Sequence, residues 1–511
     1  MIRKGNEVVL NVRPVVIGFE HLYYYEGPCR FGKGEALQPG YDRLVNAQKT
    51  EEFMANLRRY APEGVNIMDP VCGSRTDDWD NSEEMWERFK EAILPADYLV
   101  VFCDIGVDEL TIEMCQRFRK PMAITPMSAY STPTLCAAIG SRNLCEFKGF
   151  MKWEDLGYYL GIMRARKVMQ STRVMLVSRM NSQVSKSSVD TFISHDAITD
   201  RLGVQFRYVN LHELLDDMQP AREEGNYTTP GRKTWNLDDN DMAEIEKLAD
   251  ELMNNAAEVQ VDRKYLVNSL KAYYTVKKRM DFLDCNAFTA PCPDACSTRR
   301  INQGQFTFCL THTLNMENGI PSACEYDVDA VLSEQALIAV SRKFPYMGNT
   351  SPLPMEGGKF QWRFGSTEEG QAKLMSDPTN VYLMQHSVAH RRISDPEKTS
   401  PFALRHFAYD QKWGAVMRHD FDKDAGQTMT VCRFSPDGRK LFIGKGTVIC
   451  GDGYDLDNCN NLVYFRVEDQ KKFFEAQNNV GNHLAMVYGD YTQQLRDLAA
   501  SLNVEVVEPE K

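Results

Sequence analysis

Over the first ~165 positions, short apolar runs alternate with longer amphipathic stretches in the manner of an α/β chain. The apolar runs Arg13–Phe19, Val65–Asp69, Tyr98–Asp104 and Pro121–Pro126 predict strands. Between them, Gln48–Tyr60, Glu83–Leu94 and Val107–Phe118 carry helical spacing. Strands of this kind, separated by helices, predict a mostly parallel sheet covered on both faces. A second α/β unit opens at Arg173–Val177 and resumes at Val204–Val209. Pro220–Leu237 reads as an exposed loop. Asp241–Ala257 and Arg263–Met280 then predict two helices, and Asn286–Pro291 returns to an extended run.

After about Pro345 the period shortens to two and Gly and Pro become more frequent. Thr428–Phe434, Lys440–Ile443, Thr447–Cys450 and Leu462–Val467 alternate as strands of an antiparallel sheet or small barrel, with Pro436-Asp437-Gly438 as a hairpin turn. Asp490–Leu502 predicts a final amphipathic helix, followed by the strand V-E-V-V. The chain of 511 residues therefore divides into an α/β segment 1–170, a second α/β segment 171–345 and a β-rich segment 346–511.

Composition narrows the function. The chain is 43% hydrophobic and 25% charged, as in a soluble globular protein. A net charge of −12 without any basic run argues against nucleic acid as partner. The N-terminus lacks the apolar stretch of a signal peptide, and no run is long enough to span a bilayer. The fourteen cysteines are scattered, several inside apolar runs, which predicts reduced thiols of a cytoplasmic protein.

The most informative chemistry lies in Gly319–Leu332, G-I-P-S-A-C-E-Y-D-V-D-A-V-L. Glu325 and Asp327 stand two residues apart between an apolar approach and a helix-like continuation. Carboxylates this close stay ionised beside a cation or a set of donors. Mn²⁺ or Mg²⁺ is one such cation, and acidic capping of a helix N-terminus is the simpler alternative. His386 ends an apolar run and His483 begins one, so either imidazole could complete a carboxylate–histidine metal site or be a hydrogen-bonded structural group. His386 and His390 have the spacing of a metalloprotease helix without its Glu. Cys285, Cys292 and Cys296 lack the paired spacing of a zinc knuckle and read as packed thiols. His312 could reach a ligand or pin a helix start. Gly32, Gly34 and Gly40 do not form a dinucleotide-binding loop, and no nucleophile elbow or P-loop occurs.

Four segments in order resemble the L-fucose/L-arabinose isomerase superfamily, especially its shorter fucose-isomerase-like members. They are V-N-L-H-E-L-L-D-D-M at Val209–Met218, N-G-I-P-S-A-C-E-Y-D at Asn318–Asp327, Q-H-S at Gln385–Ser387 and V-G-N-H-L-A-M-V-Y-G-D-Y at Val480–Tyr491. The resemblance implies two Rossmann-like α/β domains followed by a β-rich, barrel-like C-terminal domain. It implies an aldose–ketose isomerase acting on a small neutral sugar through a cis-enediol, with Mn²⁺ or another divalent cation such as Mg²⁺. By the same resemblance Glu325, Asp327, His386 and His483 are metal candidates, with Glu325 and Asp327 the catalytic pair, and the chain assembles as a homo-oligomer, a hexamer by analogy.

Two departures qualify that expectation. Where larger relatives carry an upstream Glu, this chain has Gln303 and Gln305, and where shorter ones carry a downstream Asp, it has Asn349. An amide supplies neither charge nor a base near neutral pH. Asp294 is a candidate substitute. A remodelled carbohydrate-active enzyme or a non-catalytic sugar-binding protein on the same scaffold are the competing expectations.

Overall fold

A computed structural model describes residues 4–26, 32–76, 83–104, 106–178, 191–220, 235–292, 295, 299–353, 355–356, 359–360, 367–454 and 460–509. The chain separates into two compact units, Val8–Arg164 on one hand and Met1–Glu7 with Ala165–Lys511 on the other.

The smaller unit is a parallel sheet of β1 (Leu10–Glu20), β2 (Val65–Ile67), β3 (Val71–Thr76), β4 (Tyr98–Cys103), β5 (Met122–Ile124) and β6 (Phe147–Gly149). Its order is β2-β1-β4-β5-β6, with β3 also on β1. Alternate residues of β1 and β4 feed two separate cores. Val15, Ile17, Leu99 and Val101 pack with Trp86, Phe89 and Met114, while Val12, Val16, Val100 and Phe102 pack with Phe53, Leu57 and Leu160. Period-two strands with both faces apolar must be covered twice, as the sequence predicts. The Tyr41–Tyr60 helix starts seven residues before its predicted start, behind Gly40, whose φ of 83° suits glycine. The helices Thr132–Ser141 and Trp153–Gln170 have no counterpart in the sequence expectations.

The larger unit holds a parallel four-strand sheet of β7 (Arg173–Ser178), β8 (Gln205–Asn210), β10 (Ala287–Thr289) and β11 (Ser322–Ala323), ordered β11-β10-β7-β8. A short β9 (Glu258–Gln260) pairs elsewhere, with β16 (Phe402–His406), which in turn pairs β17 (Ala415–His419). Six strands then close into an antiparallel barrel: β12 (Tyr346–Pro352), β15 (Val381–His386), β18 (Thr428–Phe434), β19 (Lys440–Gly451), β20 (Asn461–Arg466) and β21 (His483–Tyr488). The ring runs β18-β21-β12-β15-β20-β19, and pairing of β18 with β19 closes it. The two runs predicted within Lys440–Cys450 form one strand, because Gly444 and Gly446 let it pass close to Phe473 and Phe465 without a break. A hairpin, β13 (Met355–Glu356) with β14 (Lys359–Phe360), and the terminal strand β22 (Glu505–Val507), parallel to β19, complete the unit.

The chain is thus a mixed α/β protein with parallel sheets and a closed six-strand barrel toward its C-terminus. The four-strand sheet and the barrel, expected in segments 171–345 and 346–511, lie in one compact unit. The Val328–Ser341 helix joins them, contacting β11, β18 and β21, and it is buried from Val328 through Ala339. Most of the predicted loop at Pro220–Leu237 lies outside the described residues. No described helix is long and apolar enough to cross a membrane, and all described cysteines are free thiols.

Candidate functional site

The acidic motif makes a tight turn between β11 and the buried helix. Glu325 and Tyr326 both adopt left-handed backbone, at φ 67° and 64°. Such angles are unfavourable for residues with a Cβ, by about 1–3 kcal/mol each. The turn is held by hydrogen bonds from Tyr326 N to Ala290 O (2.9 Å) and from Asp327 N to Cys324 O (3.2 Å). Strain kept in place this way often marks a site whose geometry matters.

Asp327 is the N-cap of the Val328–Ser341 helix, its Oδ1 accepting from Ala330 N at 2.7 Å. Its Oδ2 accepts from Arg433 Nη1 and faces His483 Nδ1, both at 2.8 Å. Burial opposes charge on this fully enclosed carboxyl, but Arg433 and His483 together hold it below the usual carboxylate range. Arg433 is itself buried, donates to Val480 O (2.7 Å) and His483 O (2.8 Å), and lies 3.6 Å from Asp329. Gly481, at φ 110°, leaves the space that this guanidinium crosses; a Cβ there would approach Arg433 Nε to 3.2 Å.

The histidines arrive from the barrel. β12 lies between β15 and β21, and Asn349 is in register with Gln385 on one side and His483 on the other. His386, the next residue of β15, and His483 come together at one end of the two strands that flank β12, ring centroids 5.5 Å apart. Glu325 stands against both, Oε1 3.5 Å from His386 Nε2 and Oε2 3.7 Å from His483 Nε2. Its side chain is 32% exposed, against 6% for His386, 1% for His483 and none for Asp327. Hydrogen bonding to His386 draws the Glu325 carboxyl below its ordinary value against the effect of burial. Burial in turn lowers His386, which Glu325 opposes. His483 Nε2 and His386 Nδ1 are buried and have no hydrogen-bond partner among the described residues.

All four residues singled out in the sequence thus meet, from a strained turn and two barrel strands. Chemically the cluster offers two imidazoles and one solvent-touching carboxylate, with a second carboxylate oriented behind one imidazole. Those donor types are ones a divalent transition ion takes, and the donor atoms of Glu325 and His386 lie within 4.8 Å of one another and of Cys324 Sγ. An orphaned imidazole nitrogen facing a carboxylate is a position such an ion would satisfy.

The remaining expectations fall elsewhere. Gln303 lines a cavity of about 270 Å³ with Lys271, Arg300 and Phe306, whose lining includes none of the four. Asn349 does neighbour the histidines and accepts from Asn482 Nδ2 at 2.8 Å. His390 is buried and bonds Pro345 O at 2.9 Å, which fits a structural role. Asp294 and Cys296 lie outside the described residues.

Two features escape a reading of the sequence. Arg433 sits in the apolar strand T-M-T-V-C-R-F, where a lone cation was the available signal. Beside the turn, Cys292, His312 and Cys324 each place one donor atom within 4.8 Å of the others, and Cys324 also belongs to such a group with Glu325 and His386. His312 lies one turn inside the Cys309–Glu317 helix rather than at its start. Cys285 is not part of either group. Compared with known proteins, the chain matches no protein-family model and no curated protein.

Proposed function

We propose that this protein is a metal-dependent aldose–ketose isomerase acting on a small neutral sugar, built on the plan of two Rossmann-like domains and a barrel that the four fucose-isomerase-like segments imply. The observation that carries the reading is the Glu325 carboxylate facing His386 and His483 across a strained turn, with an orphaned His483 Nε2.

Glu325, His386 and His483 would hold the cation, and Asp327 stands behind His483 and fixes its ring through Nδ1. Two nitrogen donors favour Mn²⁺ or a neighbouring transition ion over Mg²⁺, which prefers oxygen. When bound, such an ion polarises the sugar carbonyl and stabilises negative charge as the cis-enediol forms. Glu325 alone among the four is open to a substrate, so the proton moving between C1 and C2 falls to a Glu325 carboxylate oxygen. Asp327, with both oxygens engaged, keeps its charge and its place.

The test is metal content of the purified protein by mass spectrometry, then deuterium exchange at C2 of a panel of aldoses in D₂O. Retained divalent ion that falls in His483→Ala and His386→Ala, with exchange lost in Glu325→Gln, supports the reading. A folded protein that takes up no cation at this cluster sinks it. One observation favours a second reading: Asn349 stands in register with His483 where shorter relatives carry a carboxylate. Metal bound without exchange on any aldose would select that second reading, a remodelled enzyme or sugar-binding relative.

A further inference from the structure

We propose that Cys292, His312 and Cys324 form a second cation site, thiolate-rich and suited to a zinc-class ion, adjoining the Glu325 cluster, with Cys324 lying between the two. β10 and β11 are parallel neighbours, with Phe288 opposite Ser322 and Thr289 opposite Ala323. Cys292 follows the first strand, in a turn closed by its own N–H on Ala290 O (2.8 Å), and Cys324 follows the second directly. The chain between the two strands contains the Cys309–Glu317 helix, which supplies His312. One strand–helix–strand crossover therefore gathers all three groups, and their donor atoms lie within 4.8 Å of one another.

The imidazole is fixed for such a role. His312 Nδ1 lies 2.9 Å from Ser322 Oγ, to which Asn315 Nδ2 also donates at 3.3 Å. The Phe288 ring stacks on it at 5.2 Å. A metal-binding histidine characteristically has its other nitrogen held by such a partner. The other nitrogen, Nε2, is hydrogen-bonded to Cys292 Sγ at 3.5 Å, a contact that an ion between them would replace. Zinc–ligand lengths in a tetrahedron would set sulfur and nitrogen about 3.6 Å apart. All three residues are buried, and three protein ligands leave one tetrahedral position to a further donor.

Two sulfurs and a nitrogen select thiophilic ions and disfavour Mg²⁺, Ca²⁺ and Mn²⁺, the opposite preference to a carboxylate-containing set. Each thiol that ligates gives up its proton. An ion here would tie β10 and the helix to Cys324, the residue just before the left-handed turn, and so brace Glu325 from behind. The inference rests on these three ligands, independently of the sugar chemistry.

The test uses the full chain produced in minimal medium with Co²⁺ as the added transition metal, so that the ion is available during folding. We expect a near-ultraviolet sulfur-to-cobalt absorption of the strength of about one thiolate-bound cobalt per chain, over and above any cobalt held at the Glu325 cluster, and lost when zinc is supplied instead. The band should persist in His483→Ala, which impairs the other cluster, disappear in Cys292→Ser, and weaken at least tenfold in affinity in His312→Gln. A wild-type protein that is folded by circular dichroism yet shows no such band overturns the proposal, whatever the variants do. A band that survives Cys292→Ser, or one lost in His483→Ala, overturns it as well, because the sulfur would then belong to another site or to the Glu325 cluster. Cobalt bound without the band leaves the Glu325 reading standing and this one refuted.

Discussion

Asp327 keeps its charge in a place with no solvent because three neighbours share it: a helix N–H, the Arg433 guanidinium and the His483 ring. Removing one member of a buried pair leaves the other uncompensated and costs about 3–5 kcal/mol. Asp327→Asn should therefore lower the unfolding free energy by an amount of that order, and an unchanged value in chemical denaturation would show the Arg433 contact to be dispensable. Glu325 presents the converse. Its left-handed backbone is unfavourable, so Glu325→Gly should raise stability in metal-free protein by about 1 kcal/mol. The same change should abolish cation binding, a trade between stability and function that chemical denaturation and a metal titration together resolve. His390 gives a pH signature. Burial pushes it down to about 3, whereas an unfolded histidine titrates near about 6.5. Below about pH 6.5 the unfolded chain takes up a proton that the fold refuses. Its contribution is complete above that pH and is lost as pH falls toward the folded value, by up to about 1.4 kcal/mol per unit. His390→Gln should flatten the slope of unfolding free energy against pH by one proton in this window; parallel curves would contradict a buried neutral imidazole.

Among the elements, β12 is closely confined. It runs between the two histidine strands, and Gly348 lies so close to β15 that a Cβ would meet Met384 Cγ at 2.8 Å and Gln385 O at 2.9 Å. A backbone oxygen cannot swing aside as a side-chain tip can. Gly348→Ala should thus displace β15 near His386, destabilise by about 1–3 kcal/mol, and weaken cation binding with it. Wild-type affinity in a folded variant would mean that the barrel end adapts. The Val328–Ser341 helix is constrained differently, being enclosed on all sides from Val328 to Ala339. Its polar members are paired inward: Ser322 N donates to Glu334 at 2.7 Å and Gln335 donates to Thr172 at 2.9 Å. The enclosed helix carries the Asp327 cap, which is how one carboxylate both starts the helix and steadies His483.

For the molecule as a whole, the Glu325, His386 and His483 groups and the three-residue thiol–imidazole group lie in the larger compact unit. A ligand of the folded state stabilises only the cooperative unit that binds it, by about 4 kcal/mol at a thousand times its Kd. Saturating divalent ion should therefore raise the unfolding temperature of that unit, and chelator should lower it, while the transition of Val8–Arg164 stays in place. Calorimetry with and without chelator tests this. Equal shifts in both transitions would show that the two units unfold together.

The local patterns were legible in the chain itself. Short apolar runs identified β1 and β4 and an alternating run identified β18, because a strand with a buried face must alternate or be wholly apolar. Glu325 and Asp327 stood out by proximity, and His386 and His483 by their places at the ends of apolar runs. Hidden from the chain was the pairing of β12 with both histidine strands, since register is set by long-range hydrogen bonds. Arg433, 106 residues beyond its partner Asp327, was equally hidden. So was the gathering of Cys292, His312 and Cys324, whose spacing matches no motif because a strand–helix–strand crossover supplies the proximity. Residue identity fixed which groups could bear charge or bind an ion; only the closed barrel and the enclosed helix decided which of them meet, because long-range pairing and burial are properties of the folded chain.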